Sequence, residues 1–236
     1  WSTAVKEGVK PIIGIEAYVT PETARQDQTR VSWDTNWNPD IDPQHRRRNP
    51  NDVSGGGLIT HLTMWAETDE GLVNLMKAST DANLEGRVMR YPRMDKEILA
   101  KYSKGIIASS GCPSGIIQTR LLLGQFDEAL RAAGELQDIF GRDNFYIEFM
   151  DHGLKIEKQV TDGLLDIAKK LNAPLLATND SHYTRAEDAG AQDAMLCINS
   201  GSTLDEPGRF KFDGTGYYIK SAEEMRELFK DLPEAC

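Results

Sequence analysis

The chain has 236 residues, 39 % of them hydrophobic, enough to bury a full core as one domain. Its 27 basic against 37 acidic residues leave a net charge of −10, which argues against non-specific wrapping of nucleic acid but not against phosphodiester chemistry in which metal ions supply the positive charge locally. Three widely spaced cysteines make no disulfide framework and no apolar run approaches membrane-spanning length, so a reduced, cytoplasmic protein with no membrane association is the simplest expectation.

Residue 1 is Trp, and WSTAVKEG reads as the end of a helix with Gly8 as its C-cap. The chain therefore reads as cut at its front, without the n-region and h-region of a signal peptide. Apolar runs of strand length follow, near 11–19, 57–66, 105–109, 144–149, 174–178 and 217–219. Between them, Glu70–Ala82, Pro113–Leu123, Phe126–Phe140, Lys155–Leu171, Ala186–Asn199 and Ala222–Phe229 carry helical spacing of apolar residues. Gly105, Gly124 and Gly141 punctuate helix ends, and Ser221 with Glu224 forms a capping box. This alternation predicts an α/β fold with a mostly parallel sheet and crossover helices.

The segment from about 22 to 57 breaks the alternation. It is polar, with the triple Arg46–Arg48, Trp33, Trp37 and the run Gly55–Gly57. Arg and Trp together suit phosphate contact and base stacking. The alternative, favoured by the mixed charges, is a solvated insertion whose tryptophans pack on the nearest surface.

Several predicted strands end in, or run directly into, residues that bind divalent metals. Glu16 lies in PIIGIEAYV, His61 in LITHLTMWA, Cys112 after GIIASSG, and Asp180 and His182 after APLLATN. In an α/β barrel such residues meet at the carboxyl ends of the strands, and zinc and manganese favour this mix of imidazole, carboxylate and thiolate. Each also has a plainer reading: a structural ion pair for Glu16, a satisfied core or surface histidine for His61, and a small buried hydrophobe for Cys112. Asn179-Asp180-Ser181-His182 is the strongest single signal, because an acid and a histidine two residues apart at a strand end can face one centre.

The stretches VKPIIGIEAYVTP, HLTMWAE, GIIASSGCPSG, NFYIEFMDHG, PLLATNDSHYT and RFKFDGTGYYIKSAEEM together resemble the PHP (polymerase and histidinol phosphatase) domain found at the N-terminus of bacterial replicative DNA polymerase III alpha subunits, in its actinobacterial form. The resemblance covers nearly the whole chain outside 22–57. It implies a distorted seven-stranded (βα) TIM-like barrel, incomplete here at its N-terminus, with residues 1–236 as one PHP domain fragment. It also implies a centre of up to three divalent metals, zinc or manganese, held by nine ligands. Glu16 matches the bridging carboxylate, His61 and Cys112 match two ligands of one metal, and Asp180 and His182 match the last acid and histidine. The family's first four ligands would precede Trp1, so the fragment by itself is expected to be metal-poor.

The implied chemistry is metal-dependent phosphodiester hydrolysis, with Glu16 and Asp180 as the catalytic carboxylates, acting as a 3′–5′ proofreading exonuclease. The palm, fingers and thumb of the polymerase, with their magnesium site, would lie downstream of Cys236. The implied partners are a DNA primer-template, the sliding clamp and other replisome subunits. Two other readings stay open: a catalytically silent platform that binds a separate proofreading subunit, and a free-standing phosphoesterase of the histidinol phosphatase type. His152, after the FYIEFM strand, is not a ligand in the family pattern. A supporting role is expected for it, with Asp151 capping the helix that begins near Leu154.

Overall fold

The computed structural model describes residues 1–34, 49 and 57–236, which hold seven strands and eight α-helices. Trp37, the Arg46–Arg48 triplet and the Gly55–Gly56 pair lie outside the described residues. Two compact units are present, one of residues 1–147 and 163–174, the other of residues 148–162 and 175–236.

The first unit opens with α1 (Ser2–Lys6), ended by Glu7 and by Gly8 at φ +75°. Six strands follow: β1 (Gly14–Val19), β2 (Thr60–Ala66), β3 (Arg87–Val88), β4 (Tyr91–Met94), β5 (Ile106–Ser109) and the first residues of β6 (Phe145–Phe149), in the order β3-β4-β1-β2-β5-β6. The sheet is mixed rather than mostly parallel. β1 runs parallel to β4, and β5 to β6, whereas β2 is antiparallel to both β1 and β5. The expectation of a parallel sheet failed because apolar periodicity reports that a strand is buried, not which way its neighbour runs.

Packed on these strands are α2 (Asp69–Glu85), α3 (Lys96–Tyr102), α4 (Ile116–Leu122), α5 (Phe126–Phe140) and part of α6 (Lys155–Leu171). α5 has the bounds its sequence predicts: Ala129, Ala132, Ala133, Leu136 and Phe140 form one buried stripe, and Gly141 at φ +94° ends it. α2 starts where the Thr68 hydroxyl accepts the Gly71 N–H at 3.1 Å. A side chain on Gly71 would meet the Gly105 carbonyl oxygen at 1.7 Å, so α2 reaches the turn before β5 only because residue 71 is Gly.

The polar segment enters this unit in an ordered way. Arg93 on β4 has no exposed surface, and its guanidinium donates to the carbonyl oxygens of Gly86 (3.3 Å), Leu58 (3.3 Å), Arg25 (2.6 Å) and Asp27 (2.8 Å). Trp33 is buried, with the Arg120 guanidinium 4.2 Å from its ring centroid and its carbonyl accepting from Gln125 Nε2 at 2.8 Å. This tryptophan packs on its own unit, as the solvated-insertion reading expects, and offers no free face for a base.

The second unit contains the end of β6, the start of α6, β7 (Leu175–Ala177), α7 (Ala189–Ser200) and α8 (Ala222–Leu228). The Thr178 N–H donates to the Phe149 carbonyl at 3.0 Å. Ser221 and Glu224 form the capping box of α8, each side chain accepting the other's backbone N–H. Instead of a strand at 217–219 there is one parallel bridge, Tyr183 with Tyr218. Among the described residues no helix is long and apolar enough to cross a membrane.

Candidate metal centre

Glu16, His61 and Cys112 come together in the first unit. The β1–β2 register sets His61 opposite Tyr18 and Thr63 opposite Glu16, so Glu16 and His61 are diagonal neighbours on one face of the sheet. His61 is the second residue of β2, not the last as a carboxyl-end site would require. The antiparallel course of β2 beside β5 resolves this, since the amino end of β2 lies next to the carboxyl end of β5, after which Cys112 follows.

The turn carrying Cys112 is held tightly. Gly111 sits at φ +79°, and a Cβ there would come 2.9 Å from the His61 carbonyl oxygen. Gln118 on α4 donates to the Gly111 carbonyl at 2.6 Å and the Ser110 hydroxyl at 3.2 Å. The His61 N–H in turn donates to the Ser114 carbonyl at 3.1 Å. These bonds join loop and strand, so the thiol approaches the imidazole on a fixed backbone.

The donor atoms suit a small divalent ion. His61 Nδ1 is 2.8 Å from Glu16 Oε1, Cys112 Sγ is 3.4 Å from His61 Nδ1 and 3.7 Å from Glu16 Oε1, and the three ligand atoms lie within 4.8 Å of one another. Tetrahedral zinc with ordinary bonds to sulfur, nitrogen and oxygen sets ligand-to-ligand edges of about 3.3–3.6 Å. The two sulfur edges are already close to that range, and the third, at 2.8 Å, has to widen by about 0.5 Å to admit the ion. The Glu16 side chain is 45 % exposed, which removes the argument that a buried carboxylate needs a cation. Its neighbours make the case instead, since cysteine sulfur, imidazole and carboxylate are together the kinds of donor that divalent metals take.

Asp180 and His182 lie in the second unit, in the loop after β7. Asp180 adopts φ +41°, in the left-handed region, and its backbone carbonyl accepts from His182 Nδ1 at 2.6 Å. An Nδ1–H pointing at a carbonyl leaves the lone pair on Nε2, the arrangement that outer hydrogen bonds impose on metal-binding histidines. The Phe212 ring covers the imidazole at a centroid distance of 4.5 Å.

His152 is a different kind of histidine. Its Nδ1 donates to Glu157 Oε1 at 2.6 Å and its Nε2 to the Asn179 carbonyl at 3.0 Å, while its ring stacks on Tyr217 at 4.0 Å. With an acceptor before each nitrogen the ring is a buried imidazolium with no lone pair for a metal. Asp151 does not cap α6 as expected. It accepts from the Gly153 N–H at 2.9 Å, while Glu157 takes the N–H groups of His152 (2.8 Å) and Leu154 (3.1 Å).

This pair makes stability depend on pH. Burial works against the charged ring, but the Glu157 carboxylate and Asn179 carbonyl more than offset it and hold His152 above its ordinary 6.5. Burial likewise opposes the Glu157 carboxylate, and the bonds from His152 and Leu154 bring it below its ordinary 4.5. The raised histidine stabilises fully below 6.5 and is lost as pH rises through its folded value; the lowered glutamate stabilises fully above 4.5 and is lost as pH falls through its folded value. The two contributions are therefore both complete between those limits. The melting temperature of the chain should decline on the alkaline side of that window, and His152→Gln should flatten the decline. An alkaline limb as steep in the variant as in the parent would exclude the pair as its cause.

Gln118 and Asn179 support these groups and were not singled out in the sequence. Asn179 sits beside Asp180, yet its partners are 27 to 41 positions away, so no local pattern reveals its role.

The PHP domain family matches residues 1–152. The chain is 50 % identical over its full length to the DNA polymerase III subunit alpha of Mycobacterium tuberculosis, 51 % to that of Saccharopolyspora erythraea and 37 % to that of Borreliella burgdorferi. It spans only 18–19 % of the length of these curated relatives.

Proposed function

Because the chain belongs to the PHP domain family, we propose that it is the metal-binding phosphoesterase part of a replicative DNA polymerase III alpha subunit, and that it hydrolyses phosphodiesters at the 3′ end of DNA as a proofreading exonuclease. The observation that carries this reading is the Glu16–His61–Cys112 cluster, a zinc or manganese donor set held by two strands and a braced turn. In this reading the fold is a distorted (βα)7 barrel, and the working protein is cytoplasmic. Its downstream palm would use magnesium, and its partners would be a primer-template, the sliding clamp and other replisome subunits.

Glu16, His61 and Cys112 would hold one ion, and membership of the family implies Asp180 and His182, through its Nε2, as further metal ligands. Zinc or manganese, when bound, would supply a more acidic water and positive charge for the leaving oxygen of a phosphodiester. The chain's own residues set the conditions for that chemistry. The Glu16 carboxylate offers two oxygens and the charge that retains cations, Asp180 adds a second negative group, and the Asp180 carbonyl keeps His182 in the tautomer that leaves Nε2 open.

Asp180→Asn tests the reading in the polymerase-length protein, since it preserves size while removing a charge. Removal of a 3′-mismatched nucleotide should fall more than about 100-fold, beyond the loss caused by deleting an outer-shell partner. Nucleotide incorporation by the same purified protein should persist. Undiminished mismatch removal, with contaminating nucleases excluded, would overturn the catalytic assignment. Parallel loss of both activities would point to a structural platform instead.

A further inference from the structure

Asp180 and His182 are presented by a loop with almost no regular structure, yet the residue before them is among the most heavily bonded in the chain. Asn179 is 8 % exposed. Its Nδ2 donates to the carbonyls of Gly216 (2.9 Å) and Tyr218 (2.7 Å), its Oδ1 accepts from Lys220 Nζ at 2.6 Å, and its backbone carbonyl accepts from His152 Nε2 at 3.0 Å. Both amide hydrogens and both oxygens are thus engaged, two of the bonds coming from cationic donors, which make the stronger hydrogen bonds. His152 is itself fixed by Glu157 and by stacking on Tyr217.

We infer that Asn179, gripped by His152, Lys220 and the 216–218 backbone, is the positioning residue for Asp180 and His182. The Asn179 carbonyl belongs to the peptide that leads into Asp180, so the His152 clamp sets the plane from which Asp180 turns to φ +41°. That turn puts the Asp180 carbonyl against His182 Nδ1, and the Nδ1–H tautomer follows from it. The far side of the loop is secured as well: the His182 N–H donates to the Tyr217 carbonyl at 2.8 Å and the Ser181 hydroxyl to that of Tyr218 at 3.1 Å. The same 216–220 segment that holds the Asn179 side chain therefore holds the loop beyond it. A left-handed conformation at a residue other than Gly costs free energy and persists only where its surroundings over-determine it, and four bonds to one adjoining asparagine do so.

The significance of this device for metal retention rests on the proposed ligand role of Asp180 and His182, but the device can be tested without metal. The chain has four histidines, so the imidazole nitrogens are few enough to assign by nitrogen-15 NMR in the metal-free protein at about pH 8, where ordinary imidazoles are neutral. His182 should show a protonated Nδ1 and an unprotonated Nε2 in the parent chain. Asn179→Ala should convert it to a mixture or to the opposite tautomer while cooperative melting is retained, and should weaken zinc binding about 10- to 100-fold. An unchanged His182 signature in the variant overturns the proposal. Should Asn179→Ala fail to fold, Lys220→Met, which removes a single clamp, is read by the same signature, and no change there is equally decisive against it. Failure of the ligand reading looks different: His182→Ala would leave zinc affinity intact while the tautomer shift on Asn179→Ala persisted.

Discussion

Cys112→Ser is expected to lower the zinc affinity of the chain more than about 100-fold, a larger loss than removal of an outer-shell partner gives. The thiolate is the softest donor of the trio, and the hydroxyl that replaces it is neutral near pH 7 and a far poorer ligand. The sulfur is 3.4 Å from His61 Nδ1 and 3.7 Å from Glu16 Oε1, so the change strikes the donor set itself. Because Cys112 is only partly buried, the metal-free variant should melt within about 0.5 kcal/mol of the parent, as substitutions away from the packed core usually do. Competition with a chromophoric chelator measures the affinity, and the cobalt-loaded chain should show thiolate-to-metal absorption that the variant lacks. Zinc affinity equal to the parent's would return Cys112 to the role of a small hydrophobe and remove the first proposed metal site.

The second large effect concerns stability. Arg93→Leu is expected to destabilise the chain by about 3–5 kcal/mol, because the guanidinium satisfies the carbonyls of Leu58, Arg25 and Asp27, and a leucine leaves these acceptors unpaired at about 1–3 kcal/mol each, while the Gly86 carbonyl keeps the backbone N–H of residue 93. Arg93→Lys should recover little of this, since an ammonium offers three donors from one point where the guanidinium offers five in a planar fork. Denaturant melts of both variants beside the parent provide the measurement. A loss below about 1 kcal/mol for the leucine variant would mean that water takes over these carbonyls and that Arg93 does not anchor the 25–27 backbone.

Much of the secondary structure was legible in the sequence, and the places where legibility ended have physical causes. α5 and α6 show their predicted bounds because a long amphipathic stripe bounded by breaking residues is a local signal. β3, β4 and α3, between 87 and 102, were missed. RVMRYPRMDKE is too short, too charged and too interrupted by Pro92 to show a period, and it is held by non-local bonds, chiefly those of Arg93 to Leu58, Arg25 and Asp27 and of Arg25 to Asp95. The strand expected at 217–219 is a bridge only, because Asn179 and Ser181 side chains occupy backbone acceptors there that a ladder would have used.

By itself, the sequence determined the residue types and the family: the carboxylates, imidazoles and thiol at Glu16, His61, Cys112, Asp180 and His182, the apolar periods around them, and the wording shared with PHP domains. These are local properties, written in contiguous stretches of chain. Tertiary structure decided which of those groups meet and in what state. An antiparallel β2 brings His61 to Cys112, a diagonal across the β1–β2 ladder brings it to Glu16, and two carbonyls separate His182, with Nε2 open, from His152, with both nitrogens engaged. Strand direction, register and histidine tautomer all depend on partners tens of residues away, and composition and spacing along one strand carry no record of them.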